Sequence, residues 1–94
     1  MANSILQDLK EDYFTGETQN LQCHHIFFGA KRKISEQWGF KVWLTYENHQ
    51  GTEGVHGKYG HDKDMALKQA AQAEYERLGH TRQQFIDLIG RNYL

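Results

Sequence analysis

The sequence contains no proline and only one cysteine, Cys23. A single cysteine cannot form an intramolecular disulfide, and it also excludes a zinc site built from several cysteines. No apolar stretch approaches membrane-spanning length, and the N-terminal residues lack the basic and apolar regions of a signal peptide. We therefore expect a cytosolic protein with no membrane partner, in which glycine marks the boundaries between elements.

The residues that are present favour one small folded domain. Ninety-four residues are too few for two independent hydrophobic cores, and the five Tyr, five Phe and two Trp are typical of a chain that folds. The formal net charge is -1, but residues 24–63 carry six Lys and Arg against four acidic residues. Half of these bases are consecutive, at Lys31, Arg32 and Lys33, which we expect to contact phosphate. A solvated turn or helix face is the alternative interpretation of that run.

The pattern of apolar residues predicts an α+β fold. A first strand is expected from Leu21 to about Ile26, and the alternating, aromatic-rich segment 40–46 is the second. Between them we predict a helical turn over residues 31–38, which Gly39 ends in a left-handed conformation. Residues 3–14 fit either a short helix or an irregular strand.

Helices are predicted for the rest of the chain. Residues 47–49 open a short helix that the following glycines interrupt, and Asp62 or Asp64 then caps a longer helix ending near Gly79. Thr81 and Gln84 have the spacing of a capping box, which predicts a last short helix. The residues expected to face the core are Leu67, Ala71, Tyr75 and Leu78, then Phe85, Leu88 and Ile89, and finally Tyr93 and Leu94.

Four histidines form the most distinctive pattern in the sequence. His24 and His25 are adjacent at the end of the first predicted strand, and His49 and His56 follow the second. Neighbouring side chains on a strand point to opposite faces, so the adjacent pair cannot easily bind one ion together. One of them can bind a metal while the other has a different chemical role. Phosphodiester hydrolysis uses such a division, because it needs a cation at the phosphate and a neutral imidazole that takes a proton from water.

This order of elements resembles the HNH endonucleases, whose fold is also called the ββα-metal or His-Me finger fold. The common features are a strand ending in His-His, a loop, a second strand and a helical segment with further histidines. Three stretches are similar to small HNH-type proteins of phages and prophages, namely residues 23–30, 32–36 and 90–94. The resemblance implies a single nuclease domain over residues 1–94, with its core at residues 12–60 and a tail of two helices at residues 62–94.

The resemblance also implies a role for each histidine. By position, His24 corresponds to a metal ligand and His25 to the general base, while His49 and His56 correspond to the other ligands. His61 is an alternative to His56, since it lies only five residues further on. The expected cofactor is one divalent ion, which could be Zn, Mn, Ni or Mg, and three imidazoles favour transition metals over magnesium. Three protein ligands leave positions open for water and a phosphate oxygen.

The sequence departs from the family pattern in two respects. Many relatives bind a second, structural zinc, and the corresponding positions here are Tyr13, Gly16, Thr45 and Asn48. This set does not make a convincing zinc site, so we expect no structural zinc and predict packing by Tyr13 and Phe14 in its place. The family's asparagine, which holds the loop carrying the base histidine, is also missing between Ile26 and Tyr46. A backbone carbonyl or Glu36 would have to replace it.

The resemblance therefore implies a metal-dependent endonuclease that acts on DNA with little sequence preference, because it contacts the backbone rather than base edges. Phage relatives imply a partner in recombination or packaging, or a role in degrading host DNA, within the host cytosol. A non-catalytic, metal-stabilised module that binds nucleic acid or protein is the alternative hypothesis. A third hypothesis is a small α+β adaptor without metal.

Overall fold

Two antiparallel strands and four α-helices make up the described part of the chain, residues 3–94, in this computed structural model. The elements follow one another as β1 (Leu21–His25), a 3-10 turn (Gly29–Lys31), α1 (Arg32–Trp38), β2 (Lys41–Thr45), α2 (Tyr46–His49), α3 (His61–Arg77) and α4 (Arg82–Ile89). The predicted α+β class is confirmed. Within residues 3–94, no helix is both long enough and apolar enough to cross a membrane.

The two strands pair along their whole length, with His25 opposite Lys41. Both lie within the predicted segments, because side-chain alternation and aromatic content are local signals. The helix between them ends at Gly39, whose φ of 76° is left-handed as predicted. A Cβ at this position would also overlap the carbonyl oxygen of Asn3. Gly39 is therefore needed both for its conformation and for the close approach of the N-terminal segment.

The segment before β1 forms neither of the two structures considered for it. Residues 3–14 contain no helix or extended strand. Asp12 makes an isolated parallel bridge to Trp43, and the Ile5 backbone N–H donates to the carbonyl oxygen of Gly39 at 3.0 Å. A few backbone contacts, together with hydrogen bonds to the side chains of Gln7 and Asp12, thus hold this segment beside β2 without a continuous ladder.

The long helix α3 differs from its prediction at both ends. It begins at His61 after Gly60, so Asp62 and Asp64 lie in its first turn and neither is the N-cap. Carboxylates in the first turn still stabilise the helix, because its free N–H groups and macrodipole favour negative charge. At the other end, Leu78 is 53 % exposed, so its predicted place in the buried stripe is wrong.

The buried stripe of α3 includes Gln72 and leaves Leu78 out. The buried residues of this helix are Leu67, Ala71, Gln72 and Tyr75. The C-terminal segment covers the Gln72 side, where Gln72 Oε1 accepts a hydrogen bond from the backbone N–H of Tyr93 at 2.7 Å. Tyr93 packs against the core as predicted, whereas Leu94 is 46 % exposed and the prediction for it is wrong.

Aromatic rings join the sheet to the two C-terminal helices. The ring of Phe27 lies 5.4 Å from that of Phe40 and 5.7 Å from that of Phe85, while Tyr75 lies 5.9 Å from Phe40. Phe85 and Ile89 are buried and Leu88 packs against the core, as the helical spacing predicts. Because Phe27 and Phe40 flank the paired ends of the strands, this cluster also fixes the position of the residues at that end.

The N-terminus of α4 has the predicted capping box. Thr81 Oγ1 accepts from the Gln84 backbone N–H at 3.0 Å, and Gln84 Oε1 accepts from the Thr81 backbone N–H at 2.7 Å. Replacing Thr81 by alanine is expected to lower the free energy of unfolding by about 1 kcal/mol. Urea unfolding measures the loss, with Thr18→Ala at an exposed threonine as the control. Equal stability of the two variants would contradict a capping role.

Candidate metal centre

Strand β1 separates the two adjacent histidines. His24 is 1 % exposed and faces the side of the sheet where His49 and His56 lie. His25 faces the other side, where it lines a cavity of about 480 Å³ together with Trp43. The alternation of side chains along a strand predicts this separation, and it gives the two rings different surroundings.

Three histidines converge on one face of the domain. The ring centroids of His24, His49 and His56 are 4.9 to 5.1 Å apart, and one ligating nitrogen from each lies within 4.8 Å of the others. These distances are short enough for the three imidazoles to bind one metal ion. His61 is not part of the group and is exposed at the start of α3. Of the two histidines considered for the third ligand, the structure brings His56 into place.

A short helix and a tight loop position the last two of these histidines. Thr45 is the N-cap of α2, whose final residue is His49. The backbone N–H of His56 then donates to the carbonyl oxygen of His49 at 2.9 Å, which folds the loop back onto the helix. A Cβ at Gly57 would overlap the carbonyl oxygen of Gly51. Glycine at position 57 thus allows the close backbone approach that carries His56 to the group.

Burial keeps two imidazoles of the group, those of His24 and His49, neutral. Desolvation, followed by the charges of His49 and His56, lowers the pKa of His24 to about 3. Burial is also the main cause of the lowered pKa of His49, with a smaller effect from His56. Neutral imidazole is the form that binds metals, so these two rings are ready to bind a metal near neutral pH.

The hydrogen bonds of the group leave one ring nitrogen of His24 and one of His49 free to bind a metal. His24 Nε2 is buried and has no hydrogen-bond partner within residues 3–94, a costly arrangement for a polar atom unless a ligand binds it. His49 Nδ1 lies 2.7 Å from Gln22 Oε1, an acceptor, so Nδ1 carries the hydrogen and Nε2 keeps its lone pair. Such a bond to the second ring nitrogen is typical of metal-binding histidines. The donor atoms therefore fit a bound metal ion.

The other face of the sheet holds His25 in a charged network. His25 Nε2 lies 2.9 Å from Glu36 Oε1, and Lys41 Nζ donates to Glu36 Oε2 at 2.6 Å. The hydrogen bond from Lys41, followed by that from His25, lowers the pKa of Glu36 to about 2. Glu36 is thus an ionised carboxylate with one oxygen for each partner.

The basic run lies at the junction of the 3-10 turn and α1. Lys31 ends the 3-10 turn and Arg32 and Lys33 begin α1, with the last two exposed. In the described part of the chain, none of the three residues of the run forms a salt bridge, and none belongs to the three-histidine group.

Asp12 bonds to Thr45 and Asn48, two of the four positions considered above for a structural zinc. Its carboxylate accepts hydrogen bonds from the backbone N–H groups of Phe14, Thr15 and Thr45 and from the side-chain amide of Asn48, at 2.7 to 3.1 Å. The packing by Tyr13 and Phe14 that was predicted in place of a structural zinc is only partly observed. Tyr13 does pack against the core, but Phe14 is 37 % exposed.

Three residues of the site were not predicted from the sequence, and the signals that point to them are their positions relative to the histidine pair or to Glu36. Gln22 is two residues before His24 and so shares its face of β1. Lys41 lies opposite His25 in the strand register. Ser35, next to Glu36, is fully buried, and its hydroxyl bonds to the backbone of Phe27. These signals become informative only once the strand pairing is known.

Comparison of the chain with protein-family models, curated proteins and solved structures found no match.

Proposed function

We propose that this chain is a metal-dependent endonuclease of the HNH, or ββα-metal, type that hydrolyses DNA phosphodiester bonds with little sequence preference. One observation carries the proposal: three imidazoles meet on one face of β1, while the adjacent His25 is held on the other face by a carboxylate. The succession of β1, β2 and α2 supports the ββα-metal assignment, since its first and last elements carry the histidines.

The three-histidine group would hold one divalent ion through His24, His49 and His56. When bound, this ion would stabilise charge on the scissile phosphate and on the leaving 3′-oxygen. An all-imidazole set of ligands favours zinc, nickel or manganese over magnesium, which prefers oxygen ligands. The buried, unpartnered Nε2 of His24 supports the assignment, because a metal would satisfy it.

His25 would take the proton from the attacking water. The water oxygen bonds to phosphorus as the bond from phosphorus to the 3′-oxygen breaks. The 3′-oxygen takes a proton from solvent, and the products are a 5′-phosphate and a 3′-hydroxyl. Lys31, Arg32 and Lys33 would contact backbone phosphates, which carry no sequence information. The partner is thus DNA, and the resemblance to phage proteins adds a recombination or packaging protein as a second partner.

Nicking of supercoiled plasmid tests this function. The wild-type protein with added manganese, nickel or magnesium is expected to convert supercoiled DNA to open circles with at least one of these ions. His25→Ala should slow the reaction by about 10²- to 10⁴-fold, because general base catalysis contributes that much. It should leave metal binding unchanged. His61→Ala, at an exposed histidine outside the group, is the control and should retain full activity.

A non-catalytic, metal-stabilised module is the second candidate function. The observation in its favour is that His25 is only 8 % exposed and already uses Nε2 to contact Glu36. Wild-type protein that binds metal but leaves DNA intact with all three ions would contradict the nuclease proposal. A gel-shift measurement with the same protein would then establish whether the module binds DNA.

A further inference from the structure

The side chain of Glu36 has two fixed partners on two different elements. Glu36 lies on α1, His25 ends β1, and Lys41 begins β2 directly opposite His25. Oxygen Oε1 contacts His25 Nε2 and oxygen Oε2 accepts from Lys41 Nζ, so both carboxylate oxygens are used. Lys41 is 8 % exposed. A buried ammonium group is costly without a partner, so Glu36 cannot turn away from His25 without isolating Lys41.

Ser35, the residue before Glu36, holds the loop that follows the histidine pair. The Ser35 hydroxyl donates to the carbonyl oxygen of Phe27 at 2.6 Å and accepts from the Phe27 backbone N–H at 3.0 Å. Ser35 is fully buried, and Phe27 is 3 % exposed. A single side chain thus satisfies both backbone polar groups of a residue just beyond His25. An asparagine side chain could make the same two bonds, since it also carries a donor and an acceptor.

The contact with an ionised carboxylate determines which ring nitrogen of His25 carries the hydrogen. A carboxylate paired with lysine can only accept, so the hydrogen lies on Nε2. Nδ1 is then the nitrogen with the free lone pair, and it makes no hydrogen bond to another residue in the range 3–94. A ring held in this way presents one defined atom to a proton donor.

We propose that Ser35, Glu36 and Lys41 act together as positioning residues of His25, with Ser35 holding the loop and the Glu36–Lys41 pair fixing His25 as the Nε2–H tautomer. Nδ1 is then the atom that accepts the proton from water. The catalytic part of this inference rests on the proposed nuclease function, whereas the tautomer is a property of the protein alone.

Nitrogen NMR of the histidine rings tests the tautomer without any need for activity. At a pH where the ring is neutral, the ¹⁵N shifts of wild-type His25 should show a protonated Nε2 and an unprotonated Nδ1. Glu36→Gln and Lys41→Met should both weaken this preference and give a mixture of tautomers. Glu47→Gln, at an exposed glutamate on α2, is the matched control and should leave the His25 shifts unchanged. A wild-type ring protonated at Nδ1 would overturn the proposal.

Plasmid nicking supplies the second measurement. Glu36→Gln and Lys41→Met should lower kcat by about 10- to 100-fold, the usual cost of losing a partner that orients a functional histidine, while KM and metal affinity stay unchanged. Lys41→Arg keeps the ion pair and should restore most of the rate. Unchanged kcat in both Glu36→Gln and Lys41→Met would contradict the positioning role. If the wild type does not nick DNA but shows the expected tautomer, only the nuclease proposal fails.

Discussion

Replacing His56 by alanine is expected to abolish the stabilisation of this protein by zinc or nickel, whereas replacing His61 should leave it intact. Both histidines are exposed, and the His56 ring also contacts the rings of His24 and Phe28. Only His56 places a ring nitrogen within 4.8 Å of the ligating nitrogens of His24 and His49. Loss of one of three ligands leaves a two-histidine site, which binds an ion much more weakly.

The size of the effect follows from linkage between binding and folding. Metal at 100 times its dissociation constant stabilises a folded protein by about 2.7 kcal/mol, which for a domain of this length raises Tm by roughly 10–20 °C. We expect this shift for wild type and His61→Ala when zinc or nickel is added to chelator-treated protein. Magnesium should give little shift, because it prefers oxygen ligands. Differential scanning fluorimetry over a range of metal concentrations measures these changes.

Two results would contradict the three-histidine site. One is a metal-dependent shift in His56→Ala as large as that of the wild type. The other is an equal loss of the shift in His61→Ala, which would mean that the ion binds elsewhere. The Tm of each variant without added metal is the reference for its own shift, so any destabilisation caused by the substitution alone is subtracted.

Local signals in the sequence predicted much of this fold and part of the site. The strands, the left-handed Gly39 and the Thr81 capping box each depend on a few neighbouring residues, and the structure confirms all of them. Opposite faces for His24 and His25 follow from the same short-range geometry of a strand. These predictions succeed because no distant contact is needed to determine them.

The predictions that were wrong, or that left alternatives open, concern features that depend on contacts between distant segments. The spacing of His56 and His61 could not identify the third ligand, because the path of the glycine-rich loop decides which ring reaches His24. That path is determined by close backbone approaches such as that of Gly57 to Gly51. Gln72 is buried and Leu78 is exposed for a similar reason, since the C-terminal segment covers the side of α3 that carries Gln72.

The importance of Asp12 could not be predicted from its neighbours either. Its carboxylate reaches Thr45 and Asn48, more than thirty residues away in the sequence. Thr45 is the N-cap of α2 and Asn48 directly precedes His49, so Asp12 fixes the position of the helix that carries a candidate metal ligand. The segment before β1 has no regular structure of its own, and this carboxylate gives it a defined position.

Asp12→Asn is expected to lower the free energy of unfolding by about 3–4 kcal/mol, because it breaks a buried network centred on a charged acceptor. The substituted amide presents two hydrogens to groups that are themselves donors, so bonds from Thr45 or Asn48 are lost. Asp8→Asn, at an exposed acid in the same segment, is the control and should cost little. Guanidinium unfolding of the three proteins measures the difference. Similar stability of Asp12→Asn and wild type would show that the network contributes little.

The lowered pKa of the Asp12 carboxylate predicts that the free energy of unfolding depends on pH in the acid range. Burial alone would raise the pKa of Asp12, but hydrogen bonds, led by that from the Thr45 backbone, lower it from 3.8 to about 2. A pKa lowered by folding adds stability above the unfolded value, and this gain is lost as the pH falls through the folded value. The contribution is about 2 kcal/mol, present in full above about pH 4 and lost towards about pH 2. The difference in unfolding free energy between wild type and Asp12→Asn should therefore shrink over this range. A difference that stays constant down to about pH 2 would contradict the lowered pKa.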